Sequence, residues 1–243
     1  MPKSSSKAGK LARIVAVPSW RRALMRHRVA ANVEHVGVLK RMPGLRTVID
    51  VGANRGQFAL TARHCHPDAR VISFEPLSSA ATIYRAVFDG DSRATVVNTA
   101  LGPAPGEAVI NVSGLDHSSS LLPITATQEA LFPGTAQVGT ETVRVSRLAE
   151  HVTAIERPAL LKIDVQGFEL QALAGCEDLL DSFDWVYVEC SFMELYKGQA
   201  FADDIIAWLR ERGFAISGVF DVAYDADGNA VQGDFLFVPR PAG

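Results

Sequence analysis

Two pairs of acidic residues in this chain share one spacing: Asp50 and Glu75 stand 25 residues apart, and so do Asp164 and Glu189. In the first pair, Val48-Ile49-Asp50-Val51-Gly52-Ala53-Asn54-Arg55-Gly56 reads as a buried strand running into a tight glycine turn. Val71-Ile72-Ser73-Phe74-Glu75-Pro76 reads as a second strand ending in a carboxylate. Neighbouring strand ends in a parallel sheet open a crevice, and the helix after the first presents unpaired N–H groups there. Gly52 can turn without a Cβ clash, Gly56 can let that helix approach the sheet, and Glu75 is placed to accept both hydroxyls of a ribose. Together these residues describe a nucleoside pocket. Asp50 puts negative charge where a dinucleotide needs room for its pyrophosphate, and the pattern Gly-x-Gly-x-x-Gly is missing, which disfavours an NAD-dependent oxidoreductase. A cofactor with a cationic sulfonium and an amino group suits the site better.

Asp164 and Glu189 each end an apolar run, Leu160-Leu161-Lys162-Ile163-Asp164 and Trp185-Val186-Tyr187-Val188-Glu189. If their strands are neighbours, both carboxylates face the same crevice. There they can raise one another's proton affinity, bind a divalent cation or orient a hydroxyl nucleophile. Lys162 shares the sheet-face parity of Asp164, which leaves it to snorkel outward or to make a polar contact. His117 lies beside Ser118, Ser119 and Ser120 in a polar stretch and is a candidate for proton transfer. The serines can bind a polyhydroxylated substrate or cap a turn. Neither a Gly-x-Ser-x-Gly elbow nor a Gly-x4-Gly-Lys-[Ser/Thr] loop occurs, which argues against serine hydrolysis and P-loop phosphotransfer. Cys65, Cys176 and Cys190 lack metal-ligand spacing, so no metal site is assigned and free thiols are expected.

The elements that must position these groups follow from periodicity. Strands are expected at Thr47–Val51, Arg70–Phe74 and Ala94–Asn98, with helices at Gln57–Cys65 and Ser79–Phe88. The strand, helix, strand rhythm is that of a layered α/β domain with right-handed crossovers. Leu160–Asp164 and Trp185–Glu189 continue the sheet around a helix Phe168–Ala174 ended by Gly175. Ala202–Arg212 is an amphipathic helix. Phe214–Phe220 and Asp234–Val238 close the sheet as an antiparallel pair, since their connection is too short for a crossover helix. Glu107–Val112 and Glu141–Val145 form a small added sheet, and the irregular stretch between them is a candidate lid.

At 243 residues the chain has room for one large domain, which would bury roughly 70–75% of its extended surface. The net charge of −3 hides an asymmetry: residues 1–46 carry eleven Lys or Arg and one acid, the remainder thirteen and twenty-six. Such a basic arm suits nucleic acid, an anionic membrane or an acidic substrate, or it packs on the acidic body. It lacks interleaved aromatic residues, so no stable nucleic-acid partner is expected. The first 18 residues read as frayed or weakly helical, and Ser19 is a candidate cap for a helix running toward Met42, interrupted or ended near Gly37. No apolar run approaches the roughly 18 residues of a membrane span. Leu11–Pro18 is short and contains Arg13, so export is disfavoured and the cytoplasm is expected. Nothing in the sequence sets the oligomeric state.

These motifs, together with Asn98-Thr99-Ala100-Leu101-Gly102 and Leu161-Lys162-Ile163-Asp164-Val165-Gln166-Gly167-Phe168-Glu169-Leu170, resemble the FkbM family of S-adenosylmethionine-dependent methyltransferases over roughly Thr47–Val238. The resemblance implies a Rossmann-like class I methyltransferase fold: a mostly parallel seven-stranded sheet with an antiparallel final strand and a small β insertion. It divides the chain into a basic, largely helical extension at 1–46 and a methyltransferase domain at 47–243, with the insertion and candidate lid at 103–146. By the same resemblance Asp50, Gly52 and Asn54 surround the methionine part of S-adenosylmethionine, Gly56 belongs to the same segment, and Glu75 binds the ribose. Pro76, Ala100 and Leu101 surround the adenine. The family pattern commonly has Glu-Gly after Asp-Val, whereas this chain has Gln166-Gly167 and so one charge fewer.

Family members commonly methylate hydroxyl oxygens. The expected activity is therefore O-methylation of a saccharide, glycolipid or glycosylated secondary metabolite, with Asp164, Glu189 and His117 as catalytic candidates and a divalent cation left open. A noncatalytic S-adenosylmethionine-binding or scaffold protein, or an RNA methyltransferase suited to the basic arm, is the alternative.

Overall fold

A computed structural model of the protein describes residues 7–240. Of the first 18 residues, expected to be frayed or weakly helical, 1–6 lie outside the described residues and Lys7–Ala16 forms a helix. Five strands run parallel at the centre: β1 (Thr47–Val51), β2 (Arg70–Phe74), β3 (Ala94–Val97), β7 (Ala159–Ile163) and β8 (Trp185–Ser191). With β9 (Phe214–Tyr224) and β10 (Ala230–Pro239) they form one seven-stranded sheet in the order β3-β2-β1-β7-β8-β10-β9. β10 is antiparallel to both its neighbours because a short turn, closed by Asp225 N–H on the Asn229 carbonyl at 2.9 Å, returns the chain from β9. The remaining strands, β4 (Ala100–Leu101), β5 (Gly106–Ser113) and β6 (Gln137–Ser146), make a separate sheet in the order β4-β6-β5.

Burial on both faces explains the near-continuous apolar runs of β1 and β7, all of whose residues are buried. One face, with Ile49, Val51, Phe74, Leu161, Ile163 and Val188, packs against α7 (Glu169–Cys176) and α8 (Ala202–Glu211). Gly175 does not end α7 as its position in the sequence implies. It lies inside the helix, where a Cβ would fall 2.6 Å from the Gly102 carbonyl oxygen, so the glycine serves close packing of α7 on the segment after β4.

The other face carries Val48, Val71, Leu160 and Tyr187 and is covered by α4 (Gln57–Cys65), α5 (Ser78–Val87) and the N-terminal extension. That extension is not one helix from Ser19. It comprises α1 (Lys7–Ala16), α2 (Pro18–His27), a 3-10 turn at Val33–His35 and α3 (Val36–Leu39). Pro18 opens α2 with Val17 as the residue before it, since a proline lacks only an N–H that the first turn leaves unpaired anyway. Arg28, at φ 58°, ends it. Trp20 is 2% exposed and donates its indole N–H to the Leu60 carbonyl of α4 at 3.0 Å. Val33, Leu39 and Met42 join the same apolar cluster as β1.

Trp20→Ala removes a buried indole and its hydrogen bond and is expected to cost about 3–5 kcal/mol of unfolding free energy. Urea unfolding checks this; a loss below about 1 kcal/mol would mean that the extension unfolds separately from the sheet.

Candidate active site

The C-terminal ends of β1, β2, β7 and β8 open into a cavity of about 910 Å³, at the upper end of the size of small-molecule sites. The insertion between β4 and β7 forms its far wall and the N-terminal extension its rim, through Arg28 and Asn32.

On the sheet side, Gly52, Asn54, Glu75, Pro76, Ala100 and Leu101 all line the cavity. Gly52, at φ 78°, sits where a Cβ would lie 1.8 Å from the Asp164 carbonyl oxygen, so the turn after β1 presses directly on the loop after β7. Any side chain at position 52 would force the two strand ends apart. Glu75 accepts the Asn54 N–H on one carboxylate oxygen and the Leu77 N–H on the other, both at 2.8 Å. Burial pushes its pKa up to about 7 against the lowering effect of those two N–H groups. The Asn54 Oδ1 is buried without a partner.

Asp50 and Gly56 are placed differently from the expectation. Asp50 is fully buried on the sheet face under α4, two residues before the strand-end turn, and does not line the cavity. Its carboxylate lies 3.1 Å from the Lys162 ammonium, so its charge is countered inside the fold. Gly56, at φ 92°, also stands off the cavity; a Cβ there would meet Phe88 at 2.6 Å and Tyr84 at 3.0 Å, which makes it a packing glycine between α4 and α5.

Lys162 is the group that the sequence reading undervalued. Ser73, Asp50, Lys162 and Tyr187 are register partners across β2, β1, β7 and β8, which builds one polar row through the buried face. The ammonium donates to the Gly52 carbonyl at 3.1 Å and lies 4.0 Å from Asp164. Burial works against its charge, but Asp50 and then Asp164 outweigh burial and raise its pKa above the ordinary lysine value. The available signal was the position of Asp50 and Lys162, opposite charges each two residues before a strand-end turn in otherwise apolar runs.

Asp164 and Glu189 come together at the sheet edge as their spacing implies, with Gln166 between them. The Gln166 amide donates to Asp164 at 2.7 Å and to Glu189 at 3.0 Å, and Gln232 donates to the other Glu189 oxygen at 2.6 Å. Burial, and then Asp164, push Glu189 well above the ordinary carboxylate range. The amide nitrogen, a donor without a free lone pair, thus stands between the two carboxylates. Glu169 stays off the cavity: it is buried and accepts the N–H groups of Val165 and Gly167, both at 3.0 Å, which fixes the loop after β7.

The insertion contributes His117, exposed on the cavity wall in a 3-10 turn at Asp116–Ser118. Its serines mostly make turns. The Ser120 hydroxyl donates to the Gln166 carbonyl at 2.6 Å and accepts the Leu122 N–H, and the Ser119 hydroxyl accepts the Ser113 N–H. An ion pair between Arg55 and Asp116 ties the insertion to the turn after β1.

A precorrin-6y C5,15-methyltransferase from Geobacter metallireducens shares the fold, with a TM-score of 0.50 at 10% identity covering 89% of this chain and 96% of that one. With a family match over residues 50–216, this sheet and this strand-end cavity define an S-adenosylmethionine-dependent methyltransferase of the Rossmann-like class I fold. The matching model is that of the Methyltransferase FkbM domain, and the chain belongs to the FkbM family. It is similar to methyltransferase sdnD of Sordaria araneosa, 26% identical over 220 residues that cover 76% of this chain and 79% of the relative. It is also similar to the 31-O-demethyl-FK506 methyltransferase FkbM of Streptomyces tacrolimicus, 28% identical with 70% and 72% covered. The 2-O-methyltransferase NoeI of Sinorhizobium fredii is 26% identical, with 63% and 66% covered. Among the described residues, no helix is long and apolar enough to cross a membrane.

Two outcomes are expected. Affinity for S-adenosylhomocysteine, measured calorimetrically, falls as the pH drops through about 7, where Glu75 takes up a proton and loses acceptor capacity. Glu75→Gln binds about tenfold to a hundredfold more weakly and loses that pH dependence; a wild-type affinity flat across this range would remove Glu75 from the binding surface. Lys162→Met leaves the Asp50 carboxylate buried without a counter-charge and is expected to cost about 3–5 kcal/mol in urea unfolding. In an Asp50→Asn background the cost shrinks, and an undiminished cost would refute the coupling.

Proposed function

We propose that this enzyme transfers a methyl group from S-adenosylmethionine to a hydroxyl oxygen of a saccharide, glycolipid or glycosylated secondary metabolite. The observation that carries the reading is the carboxylate pair Asp164 and Glu189, held by one amide at the sheet edge and facing the same cavity as Glu75 and the Gly52 turn. The names of two relatives specify transfer to oxygen, which supports that choice of atom.

The cavity fits the cofactor in two respects: a buried acid at Glu75 with spare lone pairs, and the orphan acceptor of Asn54. When bound, S-adenosylmethionine supplies an electrophilic methyl group on a sulfonium. Glu75 accepts the ribose hydroxyls, and Asn54 Oδ1 accepts an N–H of the methionine part. Asp164, with a side chain 36% exposed, is the carboxylate open to an incoming acceptor. It takes the hydroxyl proton as the oxygen becomes nucleophilic. Glu189, deeper and pushed up in pKa, orients the acceptor, and His117 approaches from the insertion as a second proton-handling group. Alignment of acceptor oxygen and methyl carbon within about 3–3.5 Å supplies much of the acceleration.

Incubation with S-adenosylmethionine and extract of the native cell should give a methylated product identifiable by mass spectrometry. Asp164→Asn is expected to lower kcat by about a hundredfold to ten-thousandfold while leaving S-adenosylhomocysteine affinity within about threefold. Unchanged turnover in both Asp164→Asn and Glu189→Gln would reject the assignment.

A further inference from the structure

Within the insertion, the short helix α6 (Ala126–Leu131) carries Gln128, a polar side chain only 3% exposed that lines the cavity. Its backbone is fully used: the N–H donates to the Thr125 hydroxyl at 3.2 Å and the carbonyl accepts from Phe132 at 2.8 Å. The side-chain Oε1, in contrast, is buried without any partner. A buried acceptor left unpaired costs about 1–3 kcal/mol, which fold stability alone gives no reason to retain. Beside the polar turn at 116–120, the insertion also contributes Leu115, Leu121, Leu131, Phe132 and Pro133 to the cavity wall. Two hydroxyls of the wall are committed elsewhere, Thr135 to the Phe132 carbonyl at 2.8 Å and Ser120 to the loop after β7.

We infer that the insertion forms a second subsite of the acceptor pocket, which takes an apolar portion of the acceptor bearing one hydroxyl or N–H that donates to Gln128 Oε1. The inference rests on the methyl-transfer reading and narrows it. A free sugar would set hydroxyls against Leu131, Phe132 and Pro133, and desolvating them unpaired there is costly. An amphiphilic acceptor places its reacting hydroxyl at Asp164 and its hydrocarbon body against Leu131 and Phe132. Its one remote donor is satisfied by Gln128. The Arg55–Asp116 ion pair joins this wall to the turn after β1, so the subsite and the cofactor half are held in one frame.

The test uses the full chain, methyl-labelled S-adenosylmethionine and native-cell extract partitioned between octanol and water. Label is expected in an octanol-soluble product. With the acceptor purified from that fraction, Gln128→Leu should raise KM by about tenfold to a hundredfold with kcat within about threefold. Gln128→Glu, which keeps an acceptor oxygen, should restore most of the loss. Affinity for S-adenosylhomocysteine should not change, and the Tm of the ligand-free Gln128→Leu protein should be equal or higher, since an unpaired acceptor is removed. A water-soluble labelled product, or an unaltered KM, overturns the subsite while leaving methyl transfer intact. A Tm lowered by several degrees with KM unaltered would show Gln128 to be a packing residue. Absence of any labelled product despite tight S-adenosylhomocysteine binding would instead defeat the methyl-transfer reading itself.

Discussion

The buried ion pair between Asp50 and Lys162 couples the two central strands on which the site is built. Both groups are removed from water, which is expensive for each alone, and the pair is tolerable only because the charges meet at 3.1 Å with further partners on either side. Ser73 approaches Asp50 at 3.3 Å, while the ammonium reaches the carbonyls of Gly52 and Val51 at 3.1 and 3.4 Å. One lysine therefore binds the turn after β1 and stands beside the carboxylate after β7. An apolar pair of the same volume would pack the strands, but it would not fix where the Gly52 and Asp164 backbones touch.

The extension then has a physical task that its charge conceals. A polar row on a sheet face must be shielded from water if its ion pair is to stay strong, and α4 cannot cover the row alone. Phe58 of α4 and His35 of the extension lie in edge contact, and His35 reaches the Tyr187 hydroxyl at 3.2 Å. Burial lowers the His35 pKa to about 4, which keeps the imidazole neutral beside Lys162 at ordinary pH. The basic residues of α1 and α2 occupy mostly the outer surface of helices whose inner side is Ile14, Trp20 and Ala23.

Much of the sheet was legible in the sequence because fully buried parallel strands read as short apolar runs bounded by turns, and β1, β2 and β7 fall within a residue of the expected bounds. That Gly52 and Glu75 line the cavity was legible for the same reason, since both sit at strand exits, where direction hardly matters. Where direction decides, the reading failed. Asp50 is two residues before its exit and points under α4, and Gly56 faces Phe88. Gln128 was invisible because α6 is too short to show a period and its significance comes from a wall assembled by tertiary packing. Ser19 looked like a cap only because Pro18 was not read as the first helical residue.

Gln166 shows why the departure from the family pattern does not empty the site. A glutamate here would place a third carboxylate in contact with Asp164 and Glu189, one of which burial already pushes well above its ordinary range. Such a cluster must hold a shared proton or draw in a cation. The amide removes that demand by giving both hydrogens to the two acids, and its oxygen accepts the Tyr196 hydroxyl at 2.7 Å. With every polar atom of the side chain engaged, its orientation is fixed by the network. The backbone of the same residue, at φ 57°, presents its carbonyl to the Ser120 hydroxyl, and the Tyr196 hydroxyl also lies 3.1 Å from the Ser118 carbonyl. Seating the insertion and positioning the carboxylates are consequently one event. On the proposed reading, a charge that would titrate has been exchanged for a fixed donor, and Asp164 keeps its unused lone pairs directed into the cavity for the acceptor's proton.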